Sequence, residues 1–319
     1  MSRLSIIIPV YYNEENLKDL YEDLKIKAFP RLSDYEIVMV DDGSGDGSWD
    51  IMNQIRMGDP EHVKCVKLSR NFGEHAALLA GFNVCTGDCA VTKQADLQED
   101  SALIPEMYES WKKGNDVVLA VRRSRVDSAG EKAAAGAYYK IINRLVTKNM
   151  PEEGTDCYLL DRRVIEVIKK FDENNSSLTL QVLWAGFKTD MVYFDRQGRE
   201  KGKGRWTLGK KFKLAADSLL SFSYLPIRVM TWMGVVFDFL AIILIIDVII
   251  EYFTVGVPVK GWPMLTCIVL FTAGAIMFML GIIGEYVWRT LDAARNRPPF
   301  IIDEIKNGTD RMDKTEGRD

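Results

Sequence analysis

Short apolar runs alternate with segments of helical apolar spacing along residues 4–121 of the chain. The apolar runs are rich in Val, Ile and Leu and end in polar or glycine-containing segments, which is typical of buried strands. Between them, apolar residues recur three or four positions apart, which predicts helices packed on a sheet. The pattern predicts strands at residues 4–10, 35–40, 63–68, 89–92 and 116–121, and helices at 16–28, 49–56, 74–85 and 103–112. This βαβα order is typical of an α/β protein with a Rossmann-like, open and mostly parallel sheet.

Two much longer apolar stretches, residues 229–253 and 263–288, follow in the last third of the chain. Each exceeds the roughly 20 apolar residues that a helix needs to cross a bilayer. The short connection between them predicts a transmembrane hairpin, in preference to two buried core helices. Asp238, Asp247 and Glu251 lie inside the first stretch and would have to face protein or water. This favours helix–helix packing, including packing within a homo-oligomer.

The charges that flank this hairpin predict its orientation. Basic residues precede the first stretch and follow the second, whereas the connecting loop holds only Lys260. The positive-inside rule then places both termini and the soluble part in the cytoplasm. We therefore expect a multi-pass protein of the cell (inner) membrane.

Residues 209–226 combine lysines with an apolar helical face, which predicts an amphipathic helix in the membrane interface. An ordinary packed helix is the alternative. A basic cluster lies immediately before this segment and consists of Arg196, Arg199, Lys201, Lys203 and Arg205. Its position favours contact with the phosphate of a lipid.

Composition excludes several other classes of function. The net charge of −4 argues against nucleic acid as the main partner. The five cysteines form no CxxC pair and only two histidines are present, so neither a zinc site nor a disulfide framework is expected. The N-terminal apolar run at residues 4–10 is short and is followed by polar residues, so it predicts a buried strand rather than a targeting segment.

Polar side chains follow the predicted strands, at the edge where parallel sheets bind ligands. Asp41 and Asp42 close the second strand and can accept hydrogen bonds from a base or a ribose. Asp96 and Gln98 follow the fourth strand and can together ligate a hard cation that bridges a diphosphate. Arg122 ends the fifth strand and can clamp phosphates. Each cluster alone is compatible with a turn or a solvated face. Their shared position at one edge of the sheet is what predicts a ligand-binding site.

A set of motifs, in order along the chain, resembles the family-2 glycosyltransferases with the GT-A fold. The motifs are PVYYNEEN at residues 9–16, DDGS at 41–44, SRNFG at 69–73 with AALLAG at 76–81, DLQ at 96–98, DCYLLDR at 156–162, GVPVKGW at 256–262, and GEY at 284–286 with RP at 297–298. Within this family the chain is similar to the polyprenyl-phosphate glycosyltransferases, of the bactoprenol glucosyltransferase and dolichol-phosphate mannose synthase type. The resemblance covers nearly the whole chain.

The resemblance implies a hexosyltransferase of the cell envelope that inverts the anomeric carbon. It would transfer one sugar from a nucleotide-sugar, with UDP-glucose favoured, to a polyprenyl phosphate (undecaprenyl phosphate) at the cytoplasmic membrane face. It implies Asp156 and Asp96 as catalytic residues, with Mg²⁺ or Mn²⁺ on Asp96 and Gln98. The remaining site residues are Pro9, Tyr11, Glu14, Asp41, Asp42, Gln94, Arg122 and Lys132 for the nucleotide-sugar, and Arg199 and Arg205 for the acceptor phosphate.

Two positions depart from the family pattern. The family has an Asp-x-Asp metal motif, and its first Asp corresponds to Gln94 here. Loss of this carboxylate should weaken binding of a divalent cation, and restoring an Asp should tighten it. The opening motif has Tyr12 where the family has Asn.

Two other functions remain open at this stage. A processive polysaccharide synthase would carry more spans and a Gln-x-x-Arg-Trp motif, of which the chain has only Arg205-Trp206. A non-catalytic, membrane-anchored nucleotide-sugar-binding protein is the second alternative, because Gln94 interrupts the metal motif. For the single-sugar transferase we expect a GT-A domain at 1–208, an interfacial helix at 209–226, a hairpin at 227–290 and a cytoplasmic tail at 291–319.

Overall fold

We describe the fold from a computed structural model of the chain. The structure describes residues 2–123, 150–151, 154–155, 157–171, 177–195, 261–295 and 297–307, together with isolated positions at 136, 143 and between 232 and 254. The chain divides into two compact units. One comprises Met1–Leu214 with Pro298–Asp319, and the other comprises Ala215–Arg297.

A single mixed sheet forms the first unit. Among the described residues it has eight strands, β1 (Leu4–Val10), β2 (Tyr35–Asp41), β3 (Val63–Leu68), β4 (Cys89–Thr92), β5 (Val117–Arg122), β6 (Cys157–Asp161), β7 (Thr189–Phe194) and β8 (Ile302–Lys306). Their order across the sheet is β7-β5-β6-β4-β1-β2-β3-β8. β1 pairs in parallel with β2 and β4, β2 with β3, and β5 with β7. β6 and β8 are antiparallel to their neighbours.

Helices cover both faces of this sheet. They are α1 (Leu17–Lys27), α2 (Ser48–Gly58), α3 (Glu74–Val84), α4 (Leu103–Lys112), α5 (Arg162–Ile168) and α6 (Leu178–Trp184). Buried residues of α1, α2 and α4 pack on one face with Ile6 and Ile8, and those of α3, α5 and α6 pack on the other with Ile7. The central strands are therefore buried on both sides, which explains their continuous apolar runs.

The predicted α/β class is confirmed, and the five predicted strands and four predicted helices all occur. Strand β2 ends one residue later than predicted, because Asp41 pairs with Val10 and Lys67 within the sheet. Helix α3 approaches the sheet closely at Gly81, where a Cβ atom would lie 2.3 Å from Cγ2 of Ile7. The start of α3 lies near the carboxyl edge of the sheet, because the helix begins shortly after the end of β3.

The C-terminal segment contributes an edge strand that the sequence analysis assigned to a tail. Strand β8 pairs with β3, with Ile305 opposite Val66. The carbonyl of Ile301 accepts a hydrogen bond from the amide of Ser69 at 3.0 Å. The carbonyl of Asn307 accepts one from Arg56 at 2.9 Å.

The second unit contains the 33-residue helix α7 (Trp262–Ala294), which includes the predicted second span. Within the described residues, Gly274–Ala294 is long and apolar enough to cross a membrane by length and composition. Most of residues 229–253 lies outside the described residues, although isolated positions such as Phe239 and Ile246 are helical and exposed. The predicted interfacial helix at 209–226 also lies outside them.

Candidate active site

The predicted site residues converge at one edge of the sheet. Strands β1, β2, β4 and β5 are parallel and place Tyr11, Asp41, Gln94 and Arg122 at their carboxyl ends. The antiparallel strand β6 begins at the same edge, because Cys157 pairs with Ala120 near the end of β5. This is the edge at which open α/β sheets bind ligands.

Two loops at this edge hold bulky residues in a left-handed backbone conformation. Tyr12 has φ 55° and Leu97 has φ 58°, and these are the non-glycine residues with positive φ in the described part of the chain. Such a conformation costs of order 1–3 kcal/mol and persists only where surrounding contacts enforce it. One residue belongs to the opening motif and the other to Asp96-Leu97-Gln98, so both strained positions lie in predicted ligand-binding loops.

Hydrogen bonds hold the opening motif against the loop after β2 and the first residue of α2. The backbone amide of Tyr12 donates to Oγ of Ser44 at 3.1 Å, and that of Asn13 donates to Oγ of Ser48 at 3.0 Å. The carboxylate of Glu14 accepts a hydrogen bond from the amide of Gly47 at 3.0 Å. Glu14 therefore orders this loop, and its predicted contact with a nucleotide stays a prediction.

Asp41 offers an unsatisfied acceptor at the end of β2. Its side chain is fully buried, and its Oδ1 accepts a hydrogen bond from the amide of Ser44 at 3.1 Å. Its buried Oδ2 has no hydrogen-bond partner among the described residues. Burial raises the pKa of Asp41 above its ordinary value. An unpaired buried acceptor is costly, so a donor group of a ligand would complete this site.

Asp42 has a different role from its neighbour. Its two oxygens accept hydrogen bonds from the amides of Phe72 at 2.7 Å and Gly73 at 2.9 Å. Gly43 makes this approach possible, because it has φ +70° and a Cβ atom there would lie 2.6 Å from the backbone carbon of Arg70. Asp42 thus anchors the SRNFG loop, and its predicted contact with the nucleotide-sugar stays a prediction.

The loop after β4 carries the predicted metal ligands. Nε2 of Gln94 donates a hydrogen bond to Oε1 of Glu74, the first residue of α3, at 2.5 Å. The backbone amide of Gln98 donates a hydrogen bond to Oδ1 of Asp96 at 3.3 Å. The side chain of Lys93, which is 1% exposed, donates a hydrogen bond to the backbone carbonyl of Glu99. Sequence reasoning missed Glu74 and Lys93, although a lysine that ends an apolar strand is a signal that could have been used.

These residues fit a divalent cation that is shared with a ligand. Asp96 and Gln98 offer oxygen donors, which Mg²⁺ and Mn²⁺ prefer. No cluster of three His, Cys, Asp or Glu side chains that could hold a metal occurs within the described residues. Protein sites for Mg²⁺ commonly use one or two carboxylates together with substrate phosphates, and this donor set has that composition.

The other predicted residues are only partly accounted for. Pro9 lies within β1 opposite Val40, and Arg122 is half-buried at the end of β5. Asp156 lies outside the described residues, but the start of β6 is fixed by a hydrogen bond from Sγ of Cys157 to the carbonyl of Thr92 at 2.9 Å. The remaining predicted site residues, Lys132, Arg199 and Arg205, also lie outside the described residues.

Comparison with known families identifies the class of this site. Residues 5–169 match the family described as glycosyl transferase family 2, which is more than half of the chain. The chain therefore belongs to glycosyl transferase family 2. The matched region contains the loops after β1, β2, β3, β4 and β5 described above.

Full-length relatives refine this assignment. An uncharacterised glycosyltransferase of Synechocystis sp. is 34% identical over 303 residues, which are 95% of this chain and 95% of that protein. A prophage bactoprenol glucosyl transferase homolog of Escherichia coli is 34% identical over 307 residues, covering 95% and 99%. A solved structure of glucosyl-3-phosphoglycerate synthase from Mycobacterium tuberculosis is 13% identical and covers 69% of this chain and 78% of that chain, with a TM-score of 0.46. The expected family is confirmed, and the protein is a glycosyltransferase.

Proposed function

We propose that this enzyme transfers a single sugar from a nucleotide-sugar, with UDP-glucose favoured, to a polyprenyl phosphate. The names of its bactoprenol glucosyl transferase relatives support the acceptor. The choice of a uracil nucleotide as the sugar donor rests on the buried Oδ2 of Asp41, which has no hydrogen-bond partner among the described residues. A uracil base presents an N–H group between two carbonyls, and a carboxylate is the acceptor that matches this donor.

The transfer is a displacement at the anomeric carbon of the sugar. An oxygen of the acceptor phosphate forms the new bond to this carbon, the bond to the diphosphate oxygen breaks, and the nucleoside diphosphate leaves with the bonding electron pair. A phosphate monoester has its second pKa near 6 and is largely a dianion at neutral pH. It therefore needs no strong general base, and Asp156 would orient the sugar or the acceptor as much as take a proton.

The diphosphate gains negative charge as it leaves, and positive charge nearby would stabilise it. When bound to Asp96 and Gln98, Mg²⁺ or Mn²⁺ would supply this as a Lewis acid. Arg122, at the end of β5, and Lys132 would add positive charge on the same side. The hydrogen bond between Lys93 and the carbonyl of Glu99 holds the loop that carries Asp96, which would limit its reorganisation during the reaction.

The acceptor side is proposed from the sequence. Arg199 and Arg205 would hold the lipid phosphate, directly before an interfacial helix at 209–226. A hairpin with spans at 229–253 and 263–288 would anchor the enzyme in the cell membrane, with the catalytic domain and both termini cytoplasmic. A cysteine introduced at Lys260 should react with an impermeant reagent outside intact cells, and one introduced at Lys306 should not. Equal protection of both would refute this topology.

Product analysis tests the proposed reaction. The full chain, in lipid nanodiscs with undecaprenyl phosphate and Mn²⁺, would be given radiolabelled sugar-nucleotides, beginning with UDP-glucose. We expect a lipid-extractable product that carries one sugar, and release of UDP in equal amount. A polymeric product would instead indicate a synthase. Nucleotide-sugar binding without any product would indicate a non-catalytic binding protein.

A further inference from the structure

Glu74 and Gln94 form a pair that joins two motifs of the site. Glu74 follows the SRNFG loop and begins α3, whereas Gln94 lies just after β4 and two positions before Asp96. Their side chains meet at 2.5 Å, although the residues are twenty positions apart in the chain. Neither motif reveals this contact when it is considered alone.

The chemistry of the pair determines how Gln94 is oriented. An ionised carboxylate only accepts hydrogen bonds, so Glu74 must face the NH₂ group of the amide. The amide oxygen Oε1 of Gln94 is then directed away from Glu74. No described residue donates a hydrogen bond to this oxygen. Gln94 therefore presents an oxygen donor in the same loop as the side chains of Asp96 and Gln98.

The pair also restores the charge that the metal motif lacks. The family motif carries two carboxylates, and here Gln94 replaces the first of them. Glu74 brings a carboxylate into contact with Gln94 from a different element. One negative charge is thus supplied to this loop from the start of α3.

We propose that Glu74 is a positioning residue that orients Gln94, so that the Gln94 amide oxygen serves as the first ligand of the cation–diphosphate complex. The Glu74 carboxylate supplies the second negative charge of this site from the start of α3. This inference rests on the proposed function, because the ligand is the diphosphate of a nucleotide-sugar. On this proposal, the replacement of the family Asp by Gln94 keeps a ligand at this position of the metal motif.

A purely structural role for Glu74, in stabilising the start of α3, predicts a different effect of its removal. An acidic residue in the first turn of a helix is stabilising because it interacts favourably with the helix dipole. If this were the whole role, removal of Glu74 would change thermal stability and leave cation binding unaffected. Glu106, an exposed acid in the first turn of α4, provides a matched control for that effect.

The test measures Mn²⁺ binding to the full chain in detergent micelles with saturating UDP, by electron paramagnetic resonance, and thermal unfolding of the same samples. Glu74→Ala should weaken Mn²⁺ binding about tenfold, which is the size of a single coupled interaction of about 1.4 kcal/mol. Glu106→Ala should leave Mn²⁺ binding unchanged. The exchanged variant Glu74→Gln with Gln94→Glu should recover most of the affinity, because it keeps both the hydrogen bond and the charge.

Two outcomes would overturn the proposal. One is a Glu74→Ala variant with lower thermal stability and wild-type Mn²⁺ affinity, which leaves only the helix-dipole role. The other is a wild-type chain that binds UDP but no Mn²⁺. Both are distinct from failure of the proposed function, because sugar transfer by the wild-type enzyme is measured separately with labelled sugar-nucleotides.

Discussion

The buried ammonium of Lys93 donates a hydrogen bond to the backbone carbonyl of Glu99, and this contact joins the two ends of the loop that carries Asp96. Its Nζ atom also lies 4.0 Å from Oε2 of Glu99, whose side chain is buried as well. A buried charge is tolerated when it is paired and hydrogen-bonded. The geometry of this loop therefore depends on a side chain that is almost completely buried beside it.

Replacement of Lys93 by Met should destabilise the protein by about 3 kcal/mol, because it leaves a buried carboxylate without its cation. Thermal unfolding in detergent micelles measures this effect. Lys113→Met, at an exposed position after α4, is the control and should unfold like the wild type. If the two variants unfold at the same temperature, Lys93 does not hold the loop.

Asp96→Ala should abolish sugar transfer while the protein stays folded, because Asp96 is the one carboxylate left in the metal motif. Transfer of labelled sugar, together with the unfolding temperature, checks both parts. Retention of most of the metal-dependent activity would exclude Asp96 as a ligand.

The contact with Glu74 changes what we expect from restoring the family residue at position 94. Gln94→Asp alone would bring a second carboxylate close to Glu74, and like charges at short range disfavour ionisation of both. We expect no tighter Mn²⁺ binding from Gln94→Asp alone, and tighter binding when it is combined with Glu74→Gln. Mn²⁺ titrations of both variants in the presence of UDP decide this. Equal tightening in both would mean that Glu74 exerts no influence on the site.

Asp41 should make nucleotide affinity depend on pH. Its pKa is raised by burial above the ordinary 3.8, and the ionised form is the stronger acceptor for the N–H of a base. UDP affinity should therefore fall as the pH is lowered through this raised pKa. The free energy of unfolding should change in the opposite direction, because in this window the folded state binds more protons than the unfolded state.

Asp41→Asn should bind UDP about tenfold more weakly at neutral pH, because it removes a hydrogen bond to a charged group. It should also lose the pH dependence of UDP affinity that is expected of the wild type. Isothermal titration of both proteins, from neutral pH down through the raised pKa of Asp41, provides the measurement. A pH profile unchanged by the substitution would mean that another group titrates.

On the acceptor side, replacing Arg199 and Arg205 together by Ala should raise the apparent KM for the polyprenyl phosphate about tenfold or more. Each basic residue near an anionic surface contributes roughly 1 kcal/mol. Steady-state kinetics with each substrate varied in turn separates the two sites. If the KM for the nucleotide-sugar rises instead, this segment binds the donor diphosphate.

Sequence patterns predicted strands β1 to β5 well, because buried central strands have nearly continuous apolar runs. They did not predict β6 and β7, where a break from the βαβα rhythm leaves no periodic signal. Strand β8 was missed because its charged residues, Glu304 and Lys306, are typical of an edge or a tail.

The candidate site shows the same division. Motifs singled out Asp41 and Asp96 as candidates, because Asp41 ends a strand and Asp96 follows shortly after one. The anchoring role of Asp42, and the pair of Glu74 with Gln94, could not be predicted, since each depends on a contact between segments distant in sequence. Spacing along one segment carries no information about such contacts.

The return of the chain to the edge of β3 as strand β8 has a consequence for biosynthesis. Ribosomes make residues 4–194 first, then α7, and only afterwards Ile302–Lys306. The edge of β3 consequently stays unpaired while α7 is being synthesised, and an open edge can recruit other strands. Under the proposed membrane topology, the sheet would be completed only after insertion, so that chains stalled before residue 302 would expose an unpaired strand edge.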